Sequence, residues 1–238
     1  MTYYSAQALR LLSRSPLLHM DMLQSMERGH AEILDVTDRR VLLHDLPSGC
    51  LMLSAADEES ARRAILAAPR THLFTVHQPY YLDAIQVEFR LPQRTVCHQA
   101  VYCPKKPLPL PVGADIRPLD HSFLPFLAAH YDTVGGAGYL RDRVEEGVVW
   151  GAFVEEEPAG FIGLHPEGSI GMLEVLPAFR RRGIASALES FLVNRLLARG
   201  YTPFAQIVEG NEPSLRLHRR LGFSIAEETL CCLTADQP

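Results

Sequence analysis

The 238-residue chain has no apolar run near the roughly 18 residues that a membrane-spanning helix needs, which excludes such a span. Its five cysteines, Cys50, Cys97, Cys103, Cys231 and Cys232, form neither a C-x-x-C pair nor an even-numbered framework. A disulfide scaffold is therefore not expected, and the thiols read as free in a reducing compartment. Cys97-His98 with Cys103 fails as a metal site, because strand alternation sends Cys97 and His98 to opposite faces; no metal is expected. Basic charge is scarce: 23 Lys+Arg against 28 Asp+Glu leave −5, without the positive field that general nucleic-acid binding requires. The stretch Met1 to Leu12 shows no basic leader followed by an apolar core and a cleavage site, so the expectation is a cytoplasmic protein without a signal peptide. What remains is ordinary: 47% hydrophobic and 21% charged residues provide enough apolar surface to offset chain entropy, which excludes disorder as the main state.

Five of the 17 prolines, Pro104, Pro107, Pro109, Pro111 and Pro118, crowd one short stretch. Fixed φ and missing donors predict an extended connection there. A division near residue 112 follows, giving 1–112 as an N-terminal α/β half and 113–238 as a second domain. In the first half, Leu17 to Met26 predicts a helix stopped by Gly29. Val41 to Asp45, Cys50 to Leu53, Leu73 to Val76 and Thr95 to Val101 predict strands, with helices after Asp57 and over Pro79 to Phe89. No charged constellation stands out there. In the second half, Phe123 to Tyr131 predicts a helix. Val148 to Val154 and Ala159 to Leu164 form a hairpin through Glu155-Glu156-Glu157-Pro158. Ser169 to Leu176 is a third strand, followed by a helix from Gly183 to Ala198 with Ile184, Leu188, Phe191, Leu192 and Leu196 on its buried face. Gly200 closes that helix. Strand Phe204 to Val208, helix Glu212 to Leu221 and strand Thr229 to Leu233 complete a mixed sheet with helices on its faces, an α/β (α+β) class.

Two stretches carry chemistry. In Leu173-Glu174-Val175-Leu176-Pro177-Ala178-Phe179-Arg180-Arg181-Arg182-Gly183-Ile184-Ala185-Ser186, a strand ends, three arginines follow, and glycine opens an amphipathic helix. The first turn of a helix offers unpaired N–H groups and the positive end of its dipole. Gly183 and Ala185 let phosphate oxygens approach the backbone, and an arginine adds charge-assisted hydrogen bonds. This reads as a diphosphate cradle without a P-loop lysine or G-x-G-x-x-G; a plain basic loop before a surface helix is the alternative. In Asn211-Glu212-Pro213-Ser214-Leu215-Arg216-Leu217-His218-Arg219-Arg220-Leu221-Gly222-Phe223, Asn211 precedes a helix start with Pro213 in its first turn. Ser214 and His218 share one helix face. Simple capping by Asn211 over a leucine core is the alternative reading.

Taken in order, the two stretches resemble the GCN5-related N-acetyltransferase (GNAT) superfamily. Arg180-x-x-Gly183-x-Ala185 fits its acyl-CoA signature, and Asn211, Ser214, Leu217, Leu221, Gly222 and Phe223 fit its later motif. The resemblance covers about Asp115 to Leu233. The Thr202-Pro203-Phe204 strand entry and the long N-terminal extension look like the FR47-like and glycine N-acyltransferase-like subset, in which the first half is often a degenerate copy of the same fold; no Arg-x-x-Gly cradle recurs before residue 112. The resemblance implies a mixed, mostly antiparallel sheet flanked by helices. It implies acyl transfer from acetyl-CoA, directly and without a metal, to a primary amine of a small molecule. Arg180, Arg181, Arg182, Gly183, Ile184, Ala185 and Ser186 would hold the diphosphate. Leu173 and Val175 would line the thioester, with a backbone N–H near Val175 polarising its carbonyl. The pantetheine would run between the strands 169–176 and 204–208, and Asn211 and Ser214 would bind the coenzyme A arm.

Direct attack needs a neutral amine, hence a base. Glu174, beside the expected reaction centre, is the candidate, since partial burial in an apolar strand raises a carboxyl's pKa. The alternatives are that it pairs with an arginine or faces solvent; Glu209 is a second candidate. The family often supplies a tyrosine to protonate the leaving thiolate, whereas this chain has His218 there. An imidazole is able to do so, and Tyr131, Tyr139 and Tyr201 are other possible donors. His130-Tyr131-Asp132 and Gly135 to Tyr139 fall where a mobile, glycine-rich lid or a plain connection is expected. Two competing readings stay open: a non-catalytic acyl-CoA-binding regulatory protein, and a protein N-acetyltransferase.

Overall fold

Every residue of Cys50-Leu51-Met52-Leu53-Ser54-Ala55 is buried, and a strand without a polar face must be covered on both sides. The computed structural model, which describes residues 3–110, 115–131 and 136–235, shows how. The elements in chain order are α1 (Tyr3–Leu12), α2 (Met20–Glu27), β1 (Ala31–Val36), β2 (Arg40–Asp45), β3 (Cys50–Ala55), α3 (Glu58–Ala67), β4 (Leu73–Val76), α4 (Leu82–Phe89), β5 (Gln93–Val101), β6 (Asp115–Pro118), α5 (Leu124–His130), α6 (Gly136–Glu145), β7 (Val149–Val154), β8 (Glu157–Leu164), β9 (Ile170–Val175), α7 (Ile184–Ala198), β10 (Phe204–Val208), α8 (Glu212–Leu221) and β11 (Ser224–Thr234). Among the described residues no helix is long and apolar enough to cross a membrane.

The chain forms two compact units that do not follow a linear split. One contains residues up to Val101 together with Gln206–Leu215 and the chain from Ser224 on; the other contains Tyr102–Ala205 and Arg216–Phe223. The division expected at 112/113 falls on residues outside those described. Strand β11, far along the chain, pairs antiparallel with both β4 and β5 of the first unit. The proline-rich stretch is also not a free connection. The Asn194 side chain of α7 accepts from Leu108 N at 2.7 Å and donates to Leu108 O at 2.9 Å, so the segment from Tyr102 lies on the second unit. Proline removes only its own donors; the intervening Leu108 keeps both backbone groups, and an amide side chain satisfies them.

The first unit's sheet has the order β1-β2-β3-β4-β11-β5, antiparallel except for β3 beside β4. Alternation divides its core. Val41, Leu43, Cys50 and Met52 pack with Leu12 and Met22 from α1 and α2, while Leu42, Leu51 and Leu53 pack with Ala61, Ile65 and Ile85 from α3 and α4. Asp57 caps α3 as expected, its Oδ1 accepting Ser60 N at 2.7 Å.

The second unit's strands run β10-β9-β8-β7-β6, antiparallel save for β10, which meets β9 in parallel at Ala205↔Ile170. Helices α5 and α6 cover one face through Leu127, Leu140 and Val144 on Val149, Phe153, Phe161 and Met172. On the other face Trp150 meets Phe191 of α7 edge-on, ring centroids 5.9 Å apart. The glycine-rich stretch expected as a loop is instead the start of α6 from Gly136, with Gly135 outside the described residues. Leu140 and Val144, one turn apart and buried, supply an apolar stripe that outweighs glycine's low helix propensity.

The first unit also buries polar groups that the sequence did not flag. His77 Nε2 lies 2.9 Å from Asp21 Oδ1, both side chains fully buried. Burial opposes the charge on His77, but Asp21 outweighs it and raises the pKa. Burial and the neighbouring His77 hold His19 down to about 4. Neutral His19 makes contacts at 3.1 Å to Leu12 O through Nδ1 and at 2.9 Å to Ser54 Oγ through Nε2. A histidine depressed on folding contributes stability above its unfolded pKa and loses it as the pH falls through the folded one. The window is therefore 6.5 down to about 4, with about 3 kcal/mol at stake for a shift of this size. His77, raised, works in the opposite sense and does not produce this acid limb. His19→Gln is expected to flatten the stability profile between pH 6.5 and 4, measured by urea unfolding; an acid limb as steep as wild type's would contradict this.

Candidate active site

The site begins with an irregularity in β9. Phe161 opposes Glu174 and Gly163 opposes Gly171, so β9 carries one extra residue, and Met172 takes φ of 54°. This is a β-bulge, which re-aims the strand beyond it. Leu176 N then donates to Ala159 O of β8 at 2.9 Å. Because successive residues aim their amides at opposite edges, Val175 turns its N–H away from β8. Its carbonyl on that edge accepts Arg180 Nε at 2.9 Å. Leu173, half-buried, sits just past the bulge.

A 3₁₀ turn, Pro177–Phe179, carries the chain off β9. Arg181 (φ 65°) and Gly183 (φ 83°) then reverse it in left-handed conformations, and α7 begins. No side chain caps α7, and its first turn holds no acid. The first helical bond is Ala187 N to Gly183 O at 2.9 Å, so the N–H groups of Ile184, Ala185 and Ser186 precede the ladder. A Cβ built on Gly183 would meet nothing within 4 Å: the approach is open, and the glycine is required by its positive φ rather than by crowding. Ile184 is buried, Ala185 and Ser186 are half-buried, and the three arginines are exposed. Arg182 lies 5.6 Å from the Phe179 ring. A fourth arginine, not singled out from sequence, joins them: Arg220 on α8 donates to Ser186 Oγ at 3.2 Å.

Glu174 is not alone in an apolar strand. Arg180 donates to its Oε1 at 3.1 Å, with side chains 57% and 34% exposed for Arg180 and Glu174; the pairing alternative is what the structure contains. Glu174 and Arg180 also line a cavity of about 560 Å³, with Ala128, His130 and Tyr131 at the end of α5 and Leu140 on α6. Burial, with the charge of Glu167, pushes the Tyr131 phenol up. The same causes raise Tyr139 further, and its hydroxyl bonds His165 Nδ1. The sequence named Tyr131 but had no means of joining α5 and α6 to the end of β9. Asp132 lies outside the described residues. Among those described, no group of three or more His, Cys, Asp or Glu is placed to hold a metal.

Three of the other expected residues belong to the first unit. Asn211 Oδ1 accepts Ser214 N at 3.2 Å, the capping geometry of α8, and both belong to the first unit. Glu209 is exposed in that unit, its N–H on Val96 O at 2.8 Å. His218 is the clearest departure. Only 3% exposed, it places Nε2 3.3 Å from Glu189 Oε1 on α7 and its ring edge-on to Phe223. Glu189 is 1% exposed, and among the described residues neither of its oxygens nor His218 Nε2 has a well-directed hydrogen bond, so the two side chains are each other's polar neighbour in a buried setting. A group so enclosed presents no proton to a ligand.

Residues 155–232 match the family described as FR47-like protein. A Drosophila protein solved by X-ray crystallography superposes over 97% of this chain and 96% of its own, with TM-score 0.65 and 17% identity. A GCN5-related N-acetyltransferase-like protein from Streptococcus suis does so over 96% and 99%, with TM-score 0.55 and 13% identity. A GCN5-related N-acetyltransferase from Kribbella flavida follows over 93% and 96%, with TM-score 0.52 and 15% identity. No curated protein matches the sequence. The chain has the fold of the GCN5-related N-acetyltransferases. Residues 155–232 are the part of the sequence that is similar to the FR47-like family.

The buried Glu189–His218 pair yields a direct expectation. Removing one partner of such a pair leaves a buried polar group without compensation and a cavity beside it. His218→Ala is expected to cost about 3 kcal/mol by chemical denaturation, and a loss below about 0.5 kcal/mol, the level of a surface change, would contradict the pairing.

Proposed function

We propose that the protein transfers an acetyl group from acetyl-CoA directly to a primary amine of a small molecule. The observation that carries this reading is the uncapped start of α7, open above Gly183 and free of acids in its first turn, at the end of the strand whose Glu174 lines a cavity. The backbone N–H groups of Ile184 to Ser186 and the exposed arginines suit the donor's diphosphate. The Val175 N–H, aimed away from β8, suits the thioester oxygen and would stabilise the charge that develops on it. The cavity, of small-molecule size, would take the acceptor.

In this reading Glu174 removes a proton from the amine as nitrogen attacks the thioester carbon. The new N–C bond forms, the C–S bond breaks, and the thiolate leaves. Tyr131, on the same cavity and held protonated by burial, is the donor proposed for that thiolate, in place of His218. Arg180 orients the Glu174 carboxylate. Because His218 is enclosed, α8 offers no acid, and this favours a second reading: an acyl-CoA-binding protein without turnover.

Two experiments test the donor site and then separate these readings. Acetyl-CoA at a hundredfold excess over Kd is expected to stabilise the wild type by about 2.7 kcal/mol, read as a raised Tm. Gly183→Asp places a carboxylate at the mouth of the cradle, where space is open; it should abolish the shift while the apo protein stays folded. A full shift in this variant would remove the cradle from the site. With a panel of amines and a thiol-release assay, Glu174→Gln should lower kcat by about a hundredfold with acetyl-CoA binding retained. Binding without thiol release for any amine in the wild type would favour the second reading.

A further inference from the structure

We infer that His165 is a positioning residue for the acceptor: through Tyr139 it holds the start of α6 as a wall of the cavity, and so sets the affinity for the amine and not for the donor. This rests on the assignment of that cavity to the acceptor proposed above.

Helix α6 has a weak beginning. Its first three residues are Gly136, Ala137 and Gly138, all exposed, and glycine is the poorest helix former after proline. Its buried residues, Leu140, Arg143 and Val144, come only later. Yet Gly136, Ala137 and Leu140 are the residues of α6 that line the cavity with Glu174 and Arg180. A first turn with so little packing of its own needs an outside hold. Tyr139, the first large side chain of the helix, supplies it. Its hydroxyl bonds His165 Nδ1, with ring centroids 6.1 Å apart. The guanidinium of buried Arg143, one turn on, lies 5.9 Å from the centroid of the phenol ring.

His165 is itself seated by the strands that carry the site. It follows β8 directly. Its N–H donates to Ser169 O at 3.0 Å and its carbonyl accepts Gly168 N at 2.9 Å, so the turn into β9 fixes its backbone. Its ring lies against Gly171 of β9, where an added Cβ would come within 2.1 Å of Nε2 and 2.5 Å of Cδ2. Gly171 is not at positive φ, so glycine stands there for space and not for conformation. The bulge residue Met172 comes next, and Glu174 two residues after it. One imidazole thus ties α6 to the strand that presents Glu174.

The experiment measures thiol release with glycine, spermidine and kanamycin as acceptor probes, and Kd for acetyl-CoA by calorimetry. The proteins are wild type, Tyr139→Phe, His165→Ala and His165→Asn, the last keeping a polar atom near the place of Nδ1. With the best of the three probes, Tyr139→Phe and His165→Ala are expected to raise KM for the amine about tenfold, the effect of one hydrogen bond. Both kcat and the Kd for acetyl-CoA should stay close to wild type, and His165→Asn should recover most of the loss. Hydrogen exchange should quicken over 136–145 and not over 184–198. A smaller folded fraction lowers kcat and leaves KM alone, so a merely structural role does not imitate this result. The inference is overturned if KM for the amine is unmoved, if acetyl-CoA binding weakens by the same factor, or if exchange over 136–145 is unchanged. Wild type that binds acetyl-CoA but uses none of the probes would instead overturn the acceptor assignment, and the inference with it.

Discussion

A helix begins with several N–H groups that its own ladder does not use, at the positive end of its dipole. Most helices satisfy these donors with a serine, threonine or aspartate side chain. Here α7 begins at Gly183, which has no side chain to offer, and no acid follows in the first turn. The open donors, the left-handed turn through Arg181 and Gly183 and the arginines before them form one local device. The site depends on it, because every other group described there is positioned relative to the junction between β9 and α7.

That junction is held by packing on both faces of the second unit's sheet. Helix α7 lies against Trp150 through Phe191, while α5 and α6 cover Phe161 and Met172 on the other side. The bulge at Met172 turns the end of β9 so that Glu174 reaches the cavity beside α5 and α6. Such a bulge disrupts the ladder and increases local twist, at a place where re-aiming one side chain matters. Position in sheets and helices thus explains why one glutamate on β9 lines the cavity. Its arginine partner comes from the turn that leads into α7, so the cavity glutamate and the arginine-rich turn are joined by one contact.

Much of this was legible in the sequence, for reasons specific to each element. Strands β2, β3 and β4 stand out as short apolar runs between turn residues. The hairpin between β7 and β8 turns at Glu155 and Glu156, both left-handed, where the acidic tetrapeptide predicted it. The Arg180 to Ser186 stretch reads correctly as an uncapped helix start. Helix α1 and strand β1 were missed because their apolar residues are interspersed with polar ones and no strong cap precedes them. Helix α6 was misread because glycine content was weighed above the spacing of Leu140 and Val144. His218 was assigned by its place in a motif, whereas its chemistry depends on Glu189, a residue 29 positions earlier that carries no motif of its own.

By itself the sequence determined most of the elements and the uncapped helix start after the arginine run, since both arise from interactions among residues close along the chain: apolar periodicity, a glycine at positive φ, and charge beside a helix start. Only the tertiary structure decided which unit each element serves, that β11 completes the first unit's sheet, that Glu174 pairs with Arg180 beside a cavity, and that Arg220 reaches Ser186. Contacts of that kind join residues whose separation along the chain has no fixed relation to their distance in space, and side-chain burial, which decides whether a histidine faces a ligand or packs against a buried glutamate, exists only once those surfaces have met.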